Sequence, residues 1–116
     1  MIEMSFGMQE KDIQHFLATS IEAQNKLKKI INIDENDILF KREETFINGI
    51  TVDLMVHSNS NKKIYSLIEC KGTQINVTDY VRGIGQTLQY EYFFEENIPP
   101  RNEYSYSYNA EFQTLF

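Results

Sequence analysis

Three charged residues lie inside or at the end of apolar segments that the sequence pattern predicts to be strands. Asp53 interrupts the apolar run 50–56, and Glu69 and Lys71 end a second run, 64–71. Strands bury apolar side chains and are poor in aspartate, so charges at these positions need a reason. Two carboxylates and a lysine on neighbouring strands can hold a divalent cation and a water beside a phosphate. The pattern therefore indicates a metal-dependent phosphodiesterase, and we expect a nuclease.

The spacing of these residues supports a shared site. Side chains alternate across a strand, so Glu69 and Lys71 point to one face. Asp53 lies on the preceding strand, which a short turn joins to theirs, and could reach the same place. A Mg²⁺ or Mn²⁺ ion held by Asp53 and Glu69 would neutralise phosphodiester charge and lower the pKa of an attacking water. Lys71 would hold that water and stabilise developing charge. The alternative is a solvated Asp53 and an exposed Glu69–Lys71 edge pair.

The composition fits one folded domain over residues 1–116. A hydrophobic content of 41% argues against a disordered chain, and no apolar run is long enough to cross a membrane. One cysteine, Cys70, excludes an internal disulfide framework and favours the reducing cytoplasm. The net charge of −6 argues against tight DNA binding by this chain alone, because phosphate binding rests on basic surface. Bound cations, or a basic additional domain or partner chain, would offset it.

Hydrophobic periodicity predicts the order helix, three strands, helix, strand. Apolar residues at helical spacing predict one amphipathic helix over 8–31. The strands are expected over 38–47, 50–57 and 63–71, with Asn48-Gly49 as a two-residue hairpin turn.

Later signals predict the remaining elements. Asn76 is placed to cap a second helix that ends before Pro99-Pro100. The apolar stripe of that helix is expected at Val77, Val81, Ile84 and Leu88. Alternation of tyrosine with serine predicts a short fourth strand at Tyr104, Tyr106 and Tyr108. The segment after Ala110 is typical of an unfinished domain, which favours a fragment or a chain that pairs with another copy.

Asp53, followed sixteen residues later by Glu69-Cys70-Lys71, resembles the PD-(D/E)XK nuclease superfamily over about residues 22–94. Val52 stands where that motif usually has proline. The resemblance implies an α/β (α+β) restriction-endonuclease-like fold with an αβββαβ core, its central mixed sheet flanked by helices. It also implies Mg²⁺ or Mn²⁺ as cofactor, DNA as substrate, and Asp53, Glu69 and Lys71 as catalytic residues. Metal ligands would be Asp53, Glu69, the Cys70 backbone carbonyl and a first-helix glutamate, Glu22; a solvated Glu22 is the alternative.

A second motif lies on the second predicted helix. Gln86 and Tyr90 resemble the Gln-x-x-x-Tyr motif of the exonuclease branch related to RecB and lambda exonuclease. Arg82, Gln86 and Tyr90 follow one another at i, i+4 spacing and so share a face. The resemblance implies that this face leans over the metal site and binds nucleic acid. The alternative is an ordinary polar helix face.

Three functions remain open from the sequence. The first is a Mg²⁺-dependent DNA nuclease of a restriction or defence system, for which double-strand cleavage would favour a homodimer. The second is a nuclease-like module that binds or assembles without cleaving. The third is an acidic interaction protein with no nucleic-acid role. His15 and His57 lack a catalytic-triad pattern and are expected at the surface or in packing. Gly83 and Gly85 permit close packing on the sheet or close approach of a phosphate backbone.

Overall fold

Two short helices take the place of the single long helix predicted at the start of the chain. A computed structural model describes residues 10–34, 36–70, 77–103 and 105–115. Helix α1 spans Glu10–Thr19 and helix α2 spans Ile21–Ile30. Ser20 separates them with φ −88° and ψ 112°, and its hydroxyl oxygen accepts a hydrogen bond from the Ala23 N–H. The prediction of one continuous helix was wrong because Ser20 acts as an N-cap, which requires a non-helical backbone.

The three predicted strands form an antiparallel meander. They are β1 (Ile38–Thr45), β2 (Thr51–Ser58) and β3 (Lys63–Ile68). The position of the predicted hairpin turn is confirmed, but its length was wrong: the Phe46 N–H donates to the Ile50 carbonyl and the Gly49 N–H to the Phe46 carbonyl, each over 2.9 Å, so three residues, 47–49, form the loop. Gly49 has φ 85°. A positive φ is the conformation that glycine adopts without steric cost.

The second half of the chain completes a mixed sheet. Helix α3 (Val77–Glu95) leads to β4 (Ser107–Leu115), which pairs in parallel with β3. The strand order is β1-β2-β3-β4, so the protein is an α+β fold. The fourth strand begins later than predicted. It starts at Ser107, so it includes Tyr108 but not Tyr106, and it continues through the segment after Ala110 that had been expected to be an unfinished domain. Asn76 and Tyr104 lie outside the described residues. None of the described helices is long and apolar enough to span a membrane.

The sheet separates two hydrophobic cores. The first core packs α1 and α2 against one face and includes Leu27, Leu54, Ile68 and Cys70. The second core packs α3 against the other face and contains Met55, Leu67, Tyr90, Phe93 and Tyr108.

The buried face of α3 differs from the predicted stripe. Leu88 is 60% exposed, whereas Tyr90 and Phe93 are each 1% exposed. Leu88 is two residues from Tyr90, about 200° around the helix, so the two side chains cannot share a face. The stripe was therefore wrong at Leu88; the side chains of Val77, Val81 and Ile84 lie outside those described.

Candidate active site

Asp53 and Glu69 lie just beyond the paired part of β2 and β3. The last pairs at this end are Met55 with Leu67 and Leu54 with Ile68, and Asp53 and Glu69 are the next residue on each segment. The Glu69 carboxylate lies on the side of the sheet that α3 covers, because the Tyr90 hydroxyl of α3 donates a hydrogen bond to it. The two acids named from the sequence therefore lie at the same end of the β2–β3 pair.

Asp53 is anchored by a backbone hydrogen bond. The Cys70 N–H donates to Asp53 Oδ2 over 2.8 Å. The Asp53 side chain is partly buried. This bond attaches the carboxylate on β2 to the residue that follows Glu69, so both acids are held at one end of the β2–β3 pair.

Glu69 is buried and accepts a hydrogen bond from α3. It is 6% exposed, and the Tyr90 hydroxyl donates to its Oε2 over 2.7 Å. Burial raises the pKa of the Tyr90 hydroxyl far above its usual range. The hydrogen bond to Glu69 and the charges of Glu69 and Asp53 raise that pKa further. The hydroxyl therefore acts as a hydrogen-bond donor to Glu69.

Gln86 lies one turn before Tyr90 on α3. Its Oε1 atom is buried and has no hydrogen-bond partner in the part of the chain that the structure describes. Leaving a buried acceptor unpaired costs about 1–3 kcal/mol, and such groups need an explanation. Of the other residues named for catalysis and substrate binding, Lys71 and the Arg82 side chain lie outside the description.

Glu22 and the Cys70 side chain are placed away from the two acids. The Glu22 side chain is 83% exposed and pairs with Lys26 at 3.8 Å on α2. Cys70 is 3% exposed in the first core, which confirms that it is a core residue facing away from Glu69. Among the described residues, no three Asp, Glu, His or Cys side chains form a group that could hold a metal ion. Glu22 therefore does not join Asp53 and Glu69 in such a group.

Asp53 and Glu69 supply the type of ligand atom that Mg²⁺ and Mn²⁺ prefer. Mg²⁺ prefers hard oxygen ligands and is commonly bound by one or two carboxylates together with waters and substrate phosphates. Each carboxylate here accepts a hydrogen bond from a fixed protein donor, Cys70 N–H or Tyr90 hydroxyl. Donors of this kind orient metal ligands. Asp53 and Glu69 are therefore the described residues that could hold Mg²⁺ or Mn²⁺.

A cleft at the opposite end of β2 is separate from this site. It has a volume of about 550 Å³ and is lined by Phe40, Lys41, His57 and Tyr106 among others. His57 is 3% exposed and packs edge-on against Tyr106, which confirms that it is a packing residue. Neither Asp53 nor Glu69 lines the cleft.

The inward role of Tyr90 was missed from the sequence. The motif named Tyr90 as a nucleic-acid contact, whereas its ring packs beside Phe93 with centroids 5.7 Å apart. Phe93 three residues later is a signal for a shared buried face, because residues at i, i+3 are neighbours on a helix. Comparison with known protein families, curated proteins and solved structures found no match to this chain.

Proposed function

We propose that this chain is a metal-dependent nuclease that hydrolyses phosphodiester bonds of DNA, as a module of a restriction or defence system. The observation that supports the proposal is that Asp53 and Glu69 lie next to the last β2–β3 pair, with Asp53 bound by the Cys70 N–H and Glu69 by the Tyr90 hydroxyl. Two carboxylates held close together repel each other, and a divalent cation between them relieves that repulsion. A cation held there would take its other ligands from water and phosphate oxygens.

The residues of the site divide the chemistry among them. Asp53 and Glu69 would hold Mg²⁺ or Mn²⁺, and the Cys70 backbone carbonyl remains a predicted ligand. When bound, the metal supplies charge neutralisation and a lowered pKa of bound water. Lys71, two residues after Glu69, is predicted to orient the attacking water and to stabilise charge on the phosphorus oxygens. Gln86 and Arg82 are predicted to bind the DNA strand.

The fold supports the same proposal. An antiparallel meander followed by a helix and a parallel fourth strand agrees with the αβββαβ order that the PD-(D/E)XK resemblance implies. In that comparison α1 and α2 together take the place of one first helix. Asp53 lies on β2, and Glu69 is the residue directly after β3.

DNA cleavage tests the proposal. Purified protein is incubated with plasmid and linear DNA in Mg²⁺, Mn²⁺ or EDTA, beside Asp53→Asn, Glu69→Gln and Lys71→Ala variants. The expected result is metal-dependent cleavage that each substitution reduces at least a hundredfold. Glu91→Gln is the matched control, because Glu91 is an exposed carboxylate on α3. Cleavage that is equal in all three site variants and wild type would remove the basis for the proposal.

The second candidate function is a nuclease-like module that binds or assembles without cleaving. Two observations favour it: the net charge of −6, and the lack of a three-residue metal group among the described residues. This candidate predicts no Mn²⁺ binding by calorimetry and no cleavage under any metal. Mn²⁺ binding that disappears in Asp53→Asn would decide against it. Filter binding of DNA at low and high salt separates a nucleic-acid module from an acidic interaction protein, since the former shows a steep salt dependence.

A further inference from the structure

We infer that Tyr90 is a positioning residue for Glu69 and not a residue that contacts nucleic acid. The inference rests on the proposed function, because it assigns a role within the same Asp53–Glu69 site. Its basis is the hydrogen bond of 2.7 Å from the Tyr90 hydroxyl to Glu69 Oε2, between two buried side chains.

The packing of Tyr90 leaves its hydroxyl no route to a substrate. The residue is 1% exposed, and its ring belongs to the second core beside Phe93. A tyrosine hydroxyl can donate one hydrogen bond, and the Tyr90 hydroxyl donates it to Glu69.

A fixed donor changes what Glu69 can do. A glutamate side chain has three rotatable bonds, and a free one loses rotamer entropy when it binds a metal. The hydroxyl of Tyr90 holds Oε2 at a defined point of the second core, so the orientation of the carboxylate is set before metal arrives. Outer donors of this kind are worth about 10–100-fold in metal affinity or activity in other metal sites.

The arrangement separates two roles along α3. Tyr90 faces the sheet and acts on Glu69, whereas Gln86, one turn earlier, keeps a buried Oε1 without a partner in the described chain. The contact with DNA therefore stays a prediction for Gln86 and is not assigned to Tyr90. Substitution of Tyr90 should consequently affect metal binding and turnover, and should spare the affinity for DNA.

The test uses Tyr90→Phe with Tyr108→Phe as its matched control. Tyr108 is also a buried tyrosine of the second core, and its hydroxyl donates over 2.7 Å to the Ile98 carbonyl, a partner outside the Asp53–Glu69 pair. Each variant removes one oxygen and one hydrogen bond and keeps the ring. Calorimetry should show Mn²⁺ binding weakened about 10–100-fold in Tyr90→Phe and unchanged within about twofold in Tyr108→Phe. Cleavage kinetics should show a lower kcat in Tyr90→Phe with the KM for DNA unchanged within about threefold.

The possible outcomes separate this inference from the proposed function. Wild-type Mn²⁺ affinity and kcat in Tyr90→Phe, with Asp53→Asn inactive, would overturn the positioning role and leave the nuclease proposal intact. A raised KM for DNA with unchanged kcat would restore Tyr90 as a DNA contact. Absence of Mn²⁺ binding and cleavage in the wild type itself would defeat both. If Tyr90→Phe fails to fold, Mg²⁺ titration of the wild type decides: the Tyr90 ring resonances must shift while those of Tyr108 stay fixed, and unshifted Tyr90 signals overturn the inference.

Discussion

The backbone N–H of Cys70 donates to the Asp53 carboxylate over 2.8 Å, and this bond joins β2 to the chain that carries Glu69. Asp53 and Glu69 are the residues next to the last β2–β3 pair, Leu54 with Ile68. The hydrogen bond therefore holds the Asp53 carboxylate beside the backbone that follows Glu69. Asp53 therefore has two roles: its Oδ2 atom accepts the hydrogen bond that holds Cys70, and its negative charge is proposed to bind the metal.

Substitutions of Asp53 can separate those two roles. Asp53→Asn keeps a side-chain oxygen, in an amide, that can accept the Cys70 N–H, so it should change the free energy of unfolding by less than about 1 kcal/mol. Asp53→Ala removes the acceptor and should cost about 1–3 kcal/mol, because a partly buried N–H loses its partner. Urea denaturation of both variants measures the difference.

The same pair of variants should agree in metal binding. Both remove the negative charge, so both should lose Mn²⁺ binding at least tenfold by calorimetry. An Asp53→Asn protein that binds Mn²⁺ as tightly as wild type would show that Asp53 serves only to hold Cys70.

Gly85 on α3 has room for a side chain. A Cβ built at Gly85 meets nothing within 4 Å in the described structure. Close packing on the sheet therefore does not explain this glycine, and Gly85→Ala should raise the free energy of unfolding by about 0.5–1 kcal/mol. Gly49→Ala is the contrasting variant, because Gly49 has φ 85° and an alanine there should cost about 1–2 kcal/mol. Thermal and urea unfolding of both variants measure whether the free energy of unfolding rises in Gly85→Ala and falls in Gly49→Ala.

The Gly85→Ala protein also tests the second explanation for this glycine. If a phosphate backbone approaches α3 at Gly85, cleavage should fall although stability rises. Full cleavage by a more stable Gly85→Ala protein would exclude that approach.

His57 should make stability depend on pH near neutrality. Burial lowers the pKa of His57 below its ordinary value of 6.5, and the charges of Lys41 and Lys62 lower it further. Below about pH 6.5 the unfolded chain takes up a proton that the native imidazole resists, so the unfolding free energy must fall as pH decreases. The stabilising contribution of the neutral imidazole is fully present above that pH.

Urea denaturation between about pH 7.5 and 5.5 checks this sign. The decrease in unfolding free energy should be smaller in His57→Phe, which keeps an aromatic ring against Tyr106. His15→Gln is the control, since His15 is exposed on α1, and it should retain the wild-type decrease. Equal decreases in wild type and His57→Phe would show that His57 is not the responsible group.

Local signals predicted some of this molecule well. Asn48-Gly49 indicated a hairpin turn because the chain needs a positive φ there, and Gly49 has it. Alternation across the strand predicted that Cys70 would be buried away from Glu69, and it is 3% exposed in the first core. Both features depend on a few adjacent residues.

Other features depended on contacts between distant segments. Ser20 fits the periodicity of a continuous helix, and only its cap bond to Ala23 shows the break. Leu88 fits a helical stripe, yet the aromatic side chains of Tyr90 and Phe93 determine which face of α3 is buried. The hydrogen bond from Tyr90 to Glu69 joins two residues that are 21 positions apart in the sequence, so no local pattern predicts it.

Paramagnetic broadening by Mn²⁺ in NMR spectra tests the proposed metal site, because it locates the metal without requiring activity. We expect substoichiometric Mn²⁺ to broaden the amide signals of Asp53, Glu69 and Cys70 first, and Asp53→Asn to abolish this selectivity. Broadening centred on exposed carboxylates such as Glu91 and Glu95, or no broadening near Asp53 in the wild type, would contradict a metal site between Asp53 and Glu69.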